Sequence, residues 1–197
     1  MKPSFAPPLL IGILIGVITS GIIIVARDDF FWYRKTTTES SADSSIDAVF
    51  IEEMIPHHEG AIEMAKIALA KAKTEEVRNL AQSIIDAQEE EITQMRAWYK
   101  TWFGKDIPEK SPLISMHGMG SMHMGTMSGD LAALSNAKNI DETFLQQMIP
   151  HHEMAVMMAQ MLLHTTTREE MKALAEKIIE TQSAEIEDMR TWLGDIE

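Results

Sequence analysis

The motif Met-Ile-Pro-His-His-Glu occurs twice in this chain, at 54–59 and again at 148–153. Each copy sets two imidazoles directly behind a proline. Imidazole ligates several transition metals, whereas thioether is a soft donor that separates copper(I) from zinc, magnesium or calcium. Residues four apart share a helix face, so Met54 stands with His58 and Met148 with His152. Met64 and Met158 lie about two turns beyond His57 and His151 on the same stripe. A proline inside a helix removes a hydrogen bond and crowds the preceding turn, at a cost of about 3 kcal/mol. A kink is therefore expected at Pro56 and Pro150, re-aiming the histidines that follow. Adjacent helical residues point about 100° apart, so one histidine of each pair can face inward while its neighbour faces an edge. The plainer reading stands beside this one: methionine is a common core filler, and buried histidines are often satisfied by hydrogen bonds.

Two further groups of soft donors are not duplicated. Met154, Met157, Met161 and His164 follow one another by three, four and three residues, along one helical face. The positions that match them in the first copy are Gly60, Glu63, Ile67 and Ala70. A shared packing role would have kept similar residues in both copies, so this stripe predicts a separate binding surface. The second group is Met116, His117, Met119, Met122, His123, Met124 and Met127, spaced by glycines. Glycine keeps such a segment mobile. A mobile segment gives methionine little to pack against, while thioethers and imidazoles on a flexible chain can wrap an ion that accepts two, three or four ligands. Methionine also stays a competent ligand where cysteine would oxidise, which suits a compartment outside the cytoplasm. Histidine must lose a proton to coordinate, so histidine sites should weaken between about pH 7 and pH 5 while thioether sites persist.

These groups are positioned by an internal duplication. The segment beginning FIEEMIPHHEGAIEMAK at Phe50 returns as FLQQMIPHHEMAVMMAQ at Phe144. The match runs on without a gap through Leu80-Ala81 with Leu174-Ala175, Gln88 with Gln182, Glu91 with Glu185, and Met95-Arg96 with Met189-Arg190. Apolar residues recur at spacings of three and four, so each copy predicts a helical hairpin. Asp47 and Asp141 are the expected N-caps. Gln88, Glu91 and their counterparts fall on the inward stripe, where buried polar groups need partners. A hydrogen bond to a histidine, fixing its tautomer, is one role for them, and exposure at the rim is the other. Two hairpins, 47–103 and 141–197, supply four helices that close as an all-α bundle, with 104–140 as the connecting Met/His-rich loop.

Ahead of them, 36–46 reads as a polar linker. Leu9 to Ala26 is apolar and uncharged, at the lower limit for a membrane-spanning helix. It predicts an N-terminal anchor within 1–35, with a cleaved signal peptide as the rival. Phe30, Phe31, Trp32 and Tyr33 suit a membrane–water interface. Arg27, Arg34 and Lys35 behind the span would hold the main domain in the cytoplasm by charge alone. The ligand chemistry argues for the periplasmic or extracellular side, and the sequence reading follows it.

The chain has 197 residues, 17 basic against 30 acidic, for a net charge of -13. No basic stripe exists to displace counterions from phosphates, which excludes nucleic acid as a partner. With no cysteine, disulfides and thiolate chemistry are also excluded.

The motif MIPHHxxAxxMA and the helix after it resemble the bacterial family called domain of unknown function 305, across most of 47–194. The resemblance implies a ferritin-like four-helix architecture, copper(I) binding outside the cytoplasmic membrane, and a part in copper homeostasis or resistance. It implicates Met54, His57, His58, Met64, Met148, His151, His152 and Met158. The expected function is thus a non-enzymatic protein that sequesters copper(I) or hands it on to a delivery or sensor protein. Silver(I) is expected as a mimic, and copper(II) only weakly through the histidines. Two alternatives differ in class. One is a ferritin-like di-metal carboxylate oxidoreductase, against which the chain has no Glu-x-x-His motif. The other is a metal-free interaction module displayed on the membrane.

Overall fold

Long runs of helix-favouring residues, broken only by short polar turns, give a chain that is helical throughout its described part. A computed structural model describes residues 40–108 and 129–196. Helix α1 spans Ser40–Lys71 and α2 spans Glu75–Phe103. A short α3, Leu131–Ser135, precedes α4 at Ile140–Thr165 and α5 at Glu169–Ile196. Among the described residues there is no strand. Acidic side chains fill the first turns of α2, α4 and α5, where the helix dipole favours negative charge. α2 stops at Gly104, whose left-handed φ of 65° lets its N–H reach Lys100 O at 3.0 Å. From Asp43 onward the chain forms one compact unit.

The core has two apolar clusters. One joins Ala61, Met64 and Ala65 of α1 to Leu80 and Ile84 of α2, Phe144, Leu145 and Met148 of α4, and Ile186 and Met189 of α5. The other joins Phe50, Ile51 and Met54 of α1 to Met95 and Tyr99 of α2, Ala155 and Leu162 of α4, and Leu174 and Ile178 of α5. The end of α1 thus packs with the start of α2, and the end of α4 with the start of α5, as antiparallel hairpins require. Between the clusters lies a layer that belongs to neither: His57, His58, Gln88, Glu91, His151, His152 and Gln182, all buried. An apolar bundle is interrupted at mid-height by polar side chains.

The hairpins repeat each other in detail. Arg96 pairs with Glu59 at 2.7 Å, and Arg190 with Glu153 at 2.5 Å. The two aspartates expected as N-caps do something else. α4 is capped at Asn139, and Asp141 sits inside its first turn. Its carboxylate accepts from Lys73 N, Thr74 N and Thr74 Oγ1, at 2.9, 2.9 and 2.6 Å. It therefore closes the turn of the other hairpin and satisfies the free donors at the start of α2. Burial would raise the Asp141 pKa, but these hydrogen bonds outweigh burial and hold it below the usual 3.8. Asp47, fully buried, faces Arg168 at 2.9 Å in the matching position, just before α5.

Two other expectations need correction. The segment 36–46, read as linker, already carries the first turns of α1 from Ser40. The connection 104–140 is not loop throughout, because α3 forms within it, with Asp130 accepting from Ala133 N at 2.8 Å. α1 and α4 continue through Pro56 and Pro150 without ending. The N-terminal segment 1–35 lies outside the described residues. Among those described, no helix is long and apolar enough to cross a membrane.

Candidate metal centre

The four histidines of the duplicated motif meet in the polar layer. His57 on α1 and His151 on α4 face each other with ring centroids 3.7 Å apart and planes tilted by 40°. His58 and His152 flank them, at 6.4 and 6.3 Å from their neighbours. The outer two are held by carboxylates: His58 Nε2 lies 2.8 Å from Glu91 Oε2, and His152 Nε2 lies 2.7 Å from Glu185 Oε2. An ionised carboxylate only accepts, so each Nε2 carries its proton and donates it. That leaves Nδ1 of each ring with its lone pair free, and both atoms are buried without a partner. A buried imidazole whose other nitrogen is locked to a carboxylate is the arrangement seen behind metal-bound histidines.

His57 goes further, since both of its ring nitrogens are buried with no hydrogen-bond partner. An unsatisfied buried polar group costs roughly 1–3 kcal/mol. The fold tolerates that cost in the middle of its core. Burial first, then the nearby His151, His58 and His152, push the His57 pKa from 6.5 down to about 2. The ring is therefore a neutral donor across the whole working range of pH. A proton thus competes less for His57 than for an exposed imidazole. Among the described residues no three His, Asp or Glu side chains surround a common metal position. The side chains that meet in the layer are imidazoles, two of them backed by carboxylates.

The methionines divide by exposure. Met54, Met64 and Met148 are completely buried in the apolar clusters. The sulfur of Met64 is also covered by the returning chain at Gly129, whose φ is 60° and whose added Cβ would collide with Met64 Sδ. These three side chains are packed into the core. Gln147 holds that returning chain, accepting from Asp130 N at 3.0 Å and donating to Asp130 O at 3.3 Å. A glutamate, as at Glu53 in the first copy, could not do both. Met158 is partly buried against the second cluster. Met157 and Met161, by contrast, are 52% and 65% exposed, with Met154 half-buried beside them and His164 exposed. The predicted stripe therefore lies on the surface of α4. The loop donors Met116, His117, Met119, Met122, His123, Met124 and Met127 lie outside the described residues.

Of the inward polar residues, Glu91 and Glu185 do bind histidines, while Gln88 and Gln182 do not. Their Oε1 atoms are buried without a partner. Sequence reasoning missed the reach of Asp141 and Arg168 between hairpins. The repeat held a signal for it, since Asp47 and Asp141 stand in matched places.

The profile of the family described as Domain of unknown function (DUF305) matches residues 47–193. Among solved structures, the chain is similar to CopM in the Cu(II)-bound form, at 46% identity and TM-score 0.68, covering 77% of this chain and 97% of that one. CopM in the Cu(I)-bound form is similar at 45% identity and TM-score 0.66, covering 76% and 96%. A presumed secreted DUF305 protein from Streptomyces coelicolor is similar at 32% identity and TM-score 0.66, covering 76% and 93%. No curated protein matches the chain significantly.

Proposed function

The chain belongs to the DUF305 family, and on that premise we propose that it is a copper-binding protein that sequesters copper(I) or hands it on, without catalysing a reaction. The observation that carries this reading is the polar layer. Four buried histidines meet where the bundle core should be apolar, two locked by glutamates and one, His57, with no hydrogen-bond partner. Proteins bury unsatisfied imidazoles rarely, and a metal ion is the partner that would repay them. The exposed thioethers of Met157 and Met161 support the choice of ion, because they pack against little and donate softly. Similarity to a protein captured with Cu(I) and Cu(II) supports the same choice.

In this reading the bundle is of the ferritin-like type, and the stripe on α4 and the loop methionines form the accessible soft sites. The histidine layer forms an interior site. Similarity to a presumed secreted protein and the apolar N-terminal run support a location outside the cytoplasm. Titration of the full-length chain with copper(I), silver(I) and zinc(II) tests the reading. Copper(I) and silver(I) should bind, with zinc(II) far weaker. Replacing Met116, Met119, Met122, Met124 and Met127 by leucine should leave the fold intact and lower the copper(I) capacity at pH 5 to the share held by the α4 stripe and the histidine layer. Equal capacity at pH 5 in parent and variant would take the loop out of the ligand set. Tight zinc(II) binding with no copper(I) preference would overturn the proposal.

A further inference from the structure

The other side of the polar layer opens between α2 and α5, in a cleft where the hairpins' second helices meet. Gln88, Glu91, Gln182 and Glu185 line it in matched pairs, with Ala87 and Thr181 beside them. Each glutamine is only 3% exposed, and its amide oxygen accepts no hydrogen bond. Each glutamate spends Oε2 on a histidine, which leaves Oε1 for another partner. At Glu91 that oxygen already faces an ammonium, Lys177 Nζ at 3.4 Å. The side chains that carry these two amide oxygens and two carboxylate oxygens line one cleft, and none of the four oxygens is a soft donor.

We propose that this cleft is a site for a hard divalent cation of the magnesium, calcium or manganese class, on the far side of Glu91 and Glu185 from the histidines they hold. Hard cations take carboxylate and amide oxygens, and magnesium keeps several of its waters. Among the described residues, no third His, Asp or Glu joins the two carboxylates around a common position. The glutamine oxygens would help complete the shell, and the cleft has room for about one water beside the ion. The unpaired oxygens need a donor or a cation, since leaving them buried and unmet is costly. Lys177 is 44% exposed on a flexible stem and can withdraw from Glu91 when an ion arrives. Its counterpart in the first copy is Ser83, so the two halves of the site differ in charge.

The proposal does not depend on copper binding, and manganese(II) tests it directly. The metal-free full-length chain is titrated with Mn(II), and the free ion is followed by its electron paramagnetic resonance signal. One ion should bind per chain and be displaced by magnesium or calcium. Replacing Gln88 and Gln182 together by leucine should weaken it by roughly tenfold or more, while silver(I) capacity stays the same. Ala87→Leu, which narrows the cleft and leaves every donor in place, should do likewise, and it decides the matter if the double variant fails to fold. Mn(II) binding that is unchanged in a folded variant would assign it to the acidic surface and overturn the site. No binding of Mn(II) at all would overturn it too, leaving the cleft to an ordered water only.

Discussion

The histidine layer and the methionine stripe hold donors of related chemistry in opposite settings. The layer is duplicated, symmetric and buried, and each carboxylate–imidazole contact in one hairpin has its counterpart in the other. The stripe exists in one hairpin only and faces solvent. Where the copies agree, the residues build the bundle and its interior. Where they differ, at Met154, Met157, Met161 and His164, the second copy has gained soft donors that the fold does not need. A change in the layer should therefore cost stability, and a change in the stripe should cost only metal.

The largest effect is expected at Glu91. Glu91→Leu strands the His58 Nε2–H in the core, and leaving a buried donor unmet costs about 1–3 kcal/mol. Urea denaturation of the metal-free chain reads this directly. Glu185→Leu should cost less, because Glu185 is 12% exposed against 4% for Glu91. Equal small losses at both would mean that the layer is not the structural element described.

Acid should come next. The folded pKa of His57 is lowered, so between pH 6.5 and about 2 the unfolded chain takes up a proton that the folded chain refuses. Stability is then present above pH 6.5 and falls below it, by about 1.4 kcal/mol per pH unit from this group. Denaturation at pH 7 and pH 5 should show that loss in the parent and a smaller one in His57→Gln. The same slope in both would remove His57 as the cause.

Asp141→Asn should cost about 1 kcal/mol, the value of a lost cap. The lowered pKa of Asp141 gives the sign: its contribution is present above the unfolded value of 3.8 and is lost as pH falls through the folded one. A thermal melt at pH 7 and again below pH 3 checks it, since the difference between parent and variant should shrink in acid.

How far the sequence foretold this depended on distance along the chain. The hairpins were legible because the same motif recurs in register, and their helices follow a local period. The Glu91–His58 bond could be expected because both residues fall on inward stripes of one hairpin. The link from Asp141 to Thr74 joins residues 67 apart in different hairpins, so no local period encodes it, and only the matched places of Asp47 and Asp141 in the repeat hint at it. Burial sorted the methionines, which share one chemistry in the sequence: Met64 is shut under Gly129, while Met161 stands in solvent. Of Gln88 and Glu91, both expected either to serve a histidine or to lie at the rim, Glu91 holds His58.

The smallest effect on stability is expected in the stripe, where replacing Met154, Met157 and Met161 by leucine should shift it by no more than about 0.5 kcal/mol. The same variant carries the most direct test of the account. X-ray absorption at the copper edge, on the full-length chain loaded with copper(I), reports which atoms touch the metal. Sulfur and nitrogen neighbours together are expected in the parent, and the share of sulfur should fall in the variant with the fold unchanged. A shell of nitrogen and oxygen alone in the parent would contradict copper(I) binding through methionine and histidine.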